Sequence, residues 1–272
     1  MATALEIALS PFNATWSDLA AAAEVADDLG VSGLWMMDHL TGVVHKRDHV
    51  LECFAVLGGL AHVTSQCRVG SFVVNCGVRN PALLAQSAAT VHDQSAGRFV
   101  LGLGAGGGAG TMYGRELELA GFRSVNGKVR RARVLETIEV VEHLWADRRT
   151  PWEGESFRVG SAEGFLHPAP APPILVAGFG PKMATLAGER ADGFNTHATH
   201  PDLEGLLDTA RAAATGAGRP RIETTVFDIF DPEWLDGASA RRERLSAADV
   251  DTLILVVAPP FDHDIVAAIA KG

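Results

Sequence analysis

The sequence predicts a single-domain α/β protein folded as a (β/α)8 TIM barrel. Eight short apolar runs of β type alternate with longer runs of helical type over the 272 residues. An open doubly wound sheet typically has fewer strands and would not need the last unit. No linker-like or low-complexity composition divides the chain, so residues 1–272 are predicted to form one domain.

The elements follow from apolar periodicity and from the residues that start and stop them. The predicted strands are short, apolar runs: 5–12, 33–39, 68–75, 98–106, 173–178, 193–198, 221–230 and 251–260. The predicted helices carry an apolar stripe: 16–30, 50–64, 80–97, 127–146, 180–193, 201–218, 239–250 and 264–272. Gly30 ends the first helix, and Pro81 is suited to the first turn of the third. The segment 147–173 is a long connection of a length typical of functional or locally structured loops.

Charge and composition narrow the class of protein. A formal net charge of −10 argues against a nucleic-acid or anionic-membrane partner, which requires a basic face. The three cysteines, Cys53, Cys67 and Cys76, form no CxxC pair or disulfide framework. The N-terminal residues lack a signal-peptide pattern, and no run reaches the roughly 18 apolar residues of a membrane span. We therefore expect a cytoplasmic protein.

Polar residues gather at the predicted carboxyl-terminal ends of the strands, where barrel enzymes carry their catalytic groups. The apolar run "GLWMMDHL" (33–40) ends on Asp38 and His39. The pair is either an active-site floor or a satisfied surface pair at the start of a loop. Its position at the tip of a barrel strand favours the active site.

Two glycine-rich segments are candidates for cofactor binding. "GLGAGGGAG" (102–110) has dinucleotide-like spacing, but it follows the fourth strand with no helix directly on the glycines, so it predicts close approach of a flat ring instead. In "VAGFGPKMATL" (176–186), Gly178 and Gly180 free the backbone, Pro181 starts a helix, and Lys182 adds a positive charge. That turn predicts a phosphate site, with an ordinary strand-to-helix turn as the alternative.

Other catalytic signatures are missing from the sequence. The histidines, including His45 and His49, show no HxH, HExxH or Cys-His ligand spacing, so no metal site is predicted. No GxSxG nucleophile motif occurs. The segment "GRELELAGF" (114–122) is interpreted as a charged outer helix face.

Three segments together resemble the bacterial luciferase-like superfamily of flavin- or deazaflavin-dependent oxidoreductases. They are "GLWMMDH", "RVGSFVVNCGVRNPALLAQSAATVHDQSAGRFVLGLGAG" and "PILVAGFGPKMATLAGERADGFN", in this order. The resemblance covers essentially the whole chain. It implies a barrel that binds the deazaflavin coenzyme F420, or alternatively FMN, at its carboxyl-terminal face.

The resemblance also implies roles for individual residues. It makes His39 the catalytic residue and implies a non-prolyl cis peptide at Ser71–Phe72, in a bulge behind the coenzyme ring. The cofactor-binding residues that it implies are Asp38, Ser71, Phe72, Val73, Ala105, Gly106, Ala177, Gly178, Phe179 and Gly180. One departure concerns Gly107, where some deazaflavin dehydrogenases of the family carry a glutamate that donates a proton.

The expected function is hydride transfer between coenzyme F420 and an unidentified small organic substrate. The alternatives are an FMN-dependent monooxygenase that uses O2, a non-catalytic deazaflavin-binding protein and a metal-dependent barrel hydrolase. By resemblance we expect a homodimer, and from the net charge we expect no nucleic-acid or membrane partner.

Overall fold

Eight parallel strands close into a barrel in the computed structural model, which describes residues 3–146 and 149–272. The barrel strands are β1 (Ala4–Leu9), β2 (Gly33–Met36), β3 (Arg68–Ser71) with its short continuation β4 (Val74–Asn75), β5 (Phe99–Gly104), β8 (Ile174–Ala177), β9 (Gly193–His197), β10 (Glu223–Ile229) and β11 (Thr252–Val257). Their order is β3-β2-β1-β11-β10-β9-β8-β5, and pairing of β3 with β5 completes the ring. The predicted (β/α)8 TIM barrel is confirmed.

Helices follow the strands and cover the outside of the barrel. They are α1 (Trp16–Asp28), α2 (Cys53–Val63), α3 (Pro81–Gln94), α4 (Met112–Leu119), α5 (Gly127–Trp145), α6 (Pro181–Arg190), α7 (Leu203–Gly216), α8 (Ala240–Ala247) and α9 (His263–Lys271). Pro81 and Pro181 stand at the start of α3 and α6, as predicted. None of the described helices is long and apolar enough to cross a membrane.

The predicted connection at 147–173 contains an antiparallel hairpin of β6 (Trp152–Glu153) and β7 (Arg158–Val159). Residues 147 and 148 of that connection, like residues 1 and 2, lie outside the described part of the chain. The predicted third strand was continuous over 68–75, whereas the structure interrupts it between β3 and β4. This interruption lies at the barrel's carboxyl-terminal face.

The barrel interior contains a small apolar cluster, and a larger apolar layer lies between strands and helices. The interior side chains pack as one cluster: Ala8, Trp35, Phe72, Val100, Leu175 and Ile254. At the amino-terminal end, Glu6 is buried and accepts bonds from Trp35 Nε1 at 2.7 Å and from Arg68 Nε at 2.9 Å. Trp35 in turn packs edge-on against Phe72, with 6.0 Å between ring centroids. We call this cluster of Glu6, Trp35 and Arg68 at the amino-terminal end the ionic floor. It supports the residues below the barrel mouth.

Candidate active site

His39 lies in a cluster of rings at the carboxyl-terminal face, directly after β2. Its imidazole centroid is 5.0 Å from that of Phe12, 4.7 Å from that of His45 and 5.9 Å from that of Tyr113. The His39 side chain keeps 15% of its surface exposed. A histidine held by neighbouring rings and still reached by solvent is suited to proton transfer.

A carboxylate that the sequence analysis misplaced holds this histidine. Glu116 of α4 lies with one oxygen 2.9 Å from His39 Nδ1, and its other oxygen accepts bonds from Leu40 N at 2.6 Å and Thr41 N at 3.3 Å. Burial acts to raise the pKa of Glu116, but the bonds from His39 and the two backbone N–H groups outweigh it, so the pKa is lowered. The interpretation of 114–122 as a charged outer face was wrong for Glu116, which is buried.

Close backbone contact between the glycine-rich loop and α4 places this carboxylate. A Cβ on Gly114 would lie 2.0 Å from Gly108 O, and one on Gly107 would lie 2.4 Å from the Cβ of Tyr113. Neither position can carry a side chain without moving the helix. The glycines of this loop therefore seat α4 against the barrel mouth.

Asp38 has a different neighbourhood from His39, although it precedes His39 directly. Its carboxylate accepts bonds from Arg79 Nε at 2.9 Å, from Arg79 Nη2 and from Asn75 N at 3.2 Å. Arg79 also donates to Glu52, which caps the start of α2. Asp38 thus anchors the β4–α3 connection, and Glu116 rather than Asp38 bonds the His39 imidazole, while the expected contact of Asp38 with the coenzyme ring stays a prediction.

The bend between β3 and β4 contains the non-prolyl cis peptide, one bond later than predicted. The cis bond is Phe72–Val73, not Ser71–Phe72. Ser71 remains held in the sheet, because its hydroxyl donates to Gly102 O at 3.0 Å and accepts from Gly102 N at 2.9 Å. The Phe72 N–H still bonds Met36 O at 2.7 Å, so the chain leaves the β2 ladder only after Phe72. Ser71 is fully buried, while Val73 is half-buried at the face.

The neighbouring glycines of β5 make room for this bend. A Cβ on Gly102 would lie 2.1 Å from Ser71 O, and one on Gly104 would lie 2.7 Å from Val73 Cγ2. Ala105 and Gly106 follow at the strand tip, half-buried, and Gly106 has a positive φ of 64°. Residues 102–106 thus form a stretch of backbone beside the bend, called the shelf below, and not a dinucleotide-binding turn.

The turn from β8 to α6 presents an uncapped helix start. Gly180 is the N-cap residue and supplies no side chain to cap the helix, and a Cβ there would meet nothing within 4 Å. Gly178 packs tightly on Met183, while Phe179 is 59% exposed. Lys182 in the first turn is exposed. Free N–H groups, open space and a nearby cation fit a phosphate group.

An aromatic wall, which the sequence analysis did not identify, lies between this turn and the cis bond. Phe227 of β10 packs 5.3 Å from Phe72, 6.2 Å from Phe179 and 4.8 Å from His197, measured between ring centroids. Ile229, two residues further along β10, is 71% exposed. Exposed apolar side chains at a barrel mouth favour a ligand with an apolar face.

Potential metal donors and thiols form no further site among the described residues. Within 3–146 and 149–272, no group of three or more His, Cys, Asp or Glu side chains converges as a metal site. The thiols of Cys53, Cys67 and Cys76 are buried and unpaired. Burial raises the pKa of Cys67 and of Cys76 to about 12, which keeps both thiols protonated.

The chain is similar in sequence to proteins that are named as F420-dependent dehydrogenases. The chain is 32% identical over 207 residues to an F420-dependent glucose-6-phosphate dehydrogenase of Nakamurella multipartita, covering 75% of this chain and 59% of that one. It is also 32% identical over 239 residues to an F420-dependent hydroxymycolic acid dehydrogenase of Mycobacterium tuberculosis. That match covers 86% of this chain and 64% of the relative. The chain thus spans less than two thirds of the length of these relatives.

A solved structure supports the fold. An F420-dependent secondary alcohol dehydrogenase in complex with an F420-acetone adduct superposes with a TM-score of 0.81 at 20% identity, over 100% of this chain and 98% of that one. The family model for luciferase-like monooxygenases matches residues 3–251. The match covers strands β1 to β10, the bend and the start of α6, and the chain belongs to the luciferase-like monooxygenase family.

Proposed function

We propose that the protein is an F420-dependent oxidoreductase that transfers a hydride between the coenzyme and a small organic substrate. The observation that carries the proposal is the arrangement of one face: His39, bonded to a buried carboxylate, shares it with the bend at 71–73, the shelf at 102–106 and the turn at 177–180. Relatives that carry F420-dependent names support the choice of coenzyme.

The residues present fit this coenzyme in two respects. The open start of α6 at Gly180, with Lys182 beside it, would hold a phosphate group. Phe72, Val73, Ala105 and Gly106 would support the flat ring from the bend and the shelf. Coenzyme F420, when bound, supplies or accepts the hydride, and the protein contributes orientation and proton transfer.

His39 is proposed to exchange the proton that accompanies the hydride. In the oxidation direction a hydroxyl proton of the substrate goes to the imidazole, and in the reduction direction the imidazole returns it. Histidine is the side chain that most often acts as a general acid and base in proteins. The half-exposed aromatic wall of Phe179 and Phe227 would face an apolar part of the substrate or of the coenzyme ring.

The test is a parallel fluorescence titration of the purified protein with coenzyme F420 and with FMN. We expect micromolar or tighter binding of F420 alone. Turnover of a panel of secondary alcohols and ketones then follows by coenzyme absorbance. His39→Ala should keep the F420 affinity and lower kcat by about 10²–10⁴-fold, while His62→Asn, on the exposed side of α2, should change neither.

Other outcomes of the same titration decide against the proposal. Preference for FMN together with substrate-dependent oxygen uptake would indicate an FMN-dependent monooxygenase. Tight F420 binding without hydride transfer to any alcohol or ketone would indicate a non-catalytic coenzyme-binding protein. Full activity of His39→Ala would remove His39 from the mechanism.

We further propose that residues 1–272 form one domain and act in the cytoplasm as a homodimer without a nucleic-acid or membrane partner. The net charge of −10 and the absence of a spanning helix among the described residues support the last point. Light scattering of the purified protein tests the dimer, and limited proteolysis tests the single domain.

A further inference from the structure

We infer that Glu116 is the positioning residue that fixes the proton of His39 on Nδ1 and leaves Nε2 free to exchange a proton with the substrate. The inference rests on the proposed function for its catalytic consequence.

The two carboxylate oxygens of Glu116 bind different groups. One oxygen lies 2.9 Å from His39 Nδ1, and the other accepts the N–H groups of Leu40 and Thr41. An ionised carboxylate accepts hydrogen bonds and donates none. Nδ1 must therefore carry the proton, and in the neutral ring Nε2 has the free lone pair.

Among the described groups packed on the His39 imidazole, Glu116 is the one whose charge favours a positive charge on the ring. His45 and Tyr113 are the other titratable side chains whose rings face it, and Phe12 is apolar. Burial, followed by the charge of His39, lowers the pKa of His45, and burial raises the pKa of Tyr113, so both remain neutral near pH 7. Asp38, the nearest other carboxylate in sequence, is bound by Arg79.

The carboxylate is held rigidly, as a positioning role requires. Glu116 is 4% exposed, and its helix α4 meets the glycine-rich loop backbone to backbone at Gly108 and Gly114. Thr111 caps the helix by accepting a bond from Gly114 N at 3.1 Å. The Glu116 bonds to Leu40 and Thr41 also tie the loop after β2 to α4. Both partners of the 2.9 Å contact are thus fixed from two sides.

The proton step balances without any proton on Glu116. When an alcohol is oxidised, the carbon-bound hydrogen leaves as hydride to the coenzyme and the hydroxyl proton moves to Nε2. The ring becomes an imidazolium, and the ionised Glu116 at Nδ1 offsets its charge. In the reverse direction Nε2 returns the proton to the forming alkoxide.

The decisive variant is Glu116→Gln, which keeps the shape of the side chain but replaces one accepting carboxylate oxygen by a donating amide group. The Gln oxygen can still accept Leu40 N, while its amide N–H groups turn toward Nδ1. Nδ1 then has to accept, and the ring proton moves to Nε2. Glu118→Gln is the matched control, because Glu118 is two residues away on α4 and exposed.

The first readout is the tautomer of His39 by ¹⁵N NMR of the coenzyme-free protein, with the signals assigned by their loss in His39→Asn. We expect the Nδ1–H form in the wild type and in Glu118→Gln, and the Nε2–H form in Glu116→Gln. The second readout is turnover with F420. Glu116→Gln should lose about 10²- to 10⁴-fold in kcat, because it leaves the ring in the tautomer that cannot accept the substrate proton, with unchanged F420 affinity and thermal stability close to wild type.

Two results would overturn the inference. An Nε2–H tautomer in the wild type would contradict the assigned geometry. Wild-type kcat in Glu116→Gln, with His39→Ala inactive, would reduce Glu116 to a tie for the loop. If the wild type binds no F420, the proposed function fails, and the tautomer measurement still decides the role of Glu116.

Discussion

Replacing Glu6 by Gln tests whether the ionic floor supports the barrel. Glu6 is 2% exposed and accepts four hydrogen bonds, from Ser32 Oγ, Trp35 Nε1, and Nε and Nη2 of Arg68, at 2.7 to 3.0 Å. A Gln offers one acceptor oxygen, so its amide nitrogen would face two donors. The substitution also removes one partner of a buried ion pair.

The magnitude follows from what Arg68 retains. Burial acts to lower the pKa of Arg68, but Glu6 and Glu223 together raise it well above its usual value. Breaking a buried pair costs about 3–5 kcal/mol. Because Arg68 keeps its bonds to Glu223 at 2.7 and 3.1 Å, we expect the lower end, about 3 kcal/mol. For a protein of this size that corresponds to a fall in Tm of about 6–12 °C.

Thermal and urea unfolding at pH 7 measure the effect, with Glu24→Gln on the exposed side of α1 as the control. The control should lie within about 0.5 kcal/mol of the wild type. An unfolding free energy of Glu6→Gln equally close to the wild type would refute the reasoning. It would mean that the floor contributes no more than an exposed ion pair.

Two further substitutions test single positions. Burial acts to raise the pKa of Asp27, but three backbone N–H bonds outweigh it and lower it from 3.8 to about 2, so its contribution is present above pH 4 and lost as the pH falls toward 2. Asp27→Asn should cost about 2 kcal/mol at pH 7 and little at pH 2, by urea unfolding at both values, while exposed Asp28→Asn stays unchanged. Gly102→Ala puts a methyl 2.1 Å from Ser71 O and should cost about 1–3 kcal/mol, whereas Gly160→Ala, with nothing within 4 Å, should be near neutral by thermal unfolding.

The strand order and most helix starts were predictable, but the start of α4 and the strand ends were not. The first strand was expected over 5–12, yet β1 ends at Leu9, and Asn13 has a left-handed φ of 53°. Phe12 is 7% exposed although it lies beyond the sheet, because it packs on His39 and His45 at the barrel mouth. Apolar residues therefore continue past the hydrogen-bonded ladder, and periodicity alone places the strand end too late.

The roles of the two acids near His39 could not be separated by sequence. Asp38 is adjacent to His39, and adjacency favoured it as the imidazole partner. Along an extended segment, however, neighbouring side chains point to opposite sides, so Asp38 reaches Arg79 instead. Glu116 lies 77 residues away from His39, in a segment whose alternating charged and apolar residues suggested an outer helix face.

The departure at Gly107 and the position of Glu116 have a common physical cause. The first turn of α4 occupies the space that a side chain at position 107 would need, with the Cβ of Tyr113 2.4 Å away. An acid at that position is therefore excluded by the same helix that carries Glu116 to within 2.9 Å of His39 Nδ1. Because Gly107 and Gly114 allow this contact, a side chain at either glycine should push α4 outward and break the bond to His39. The glycines after β5 thus act on the histidine through the helix that they seat.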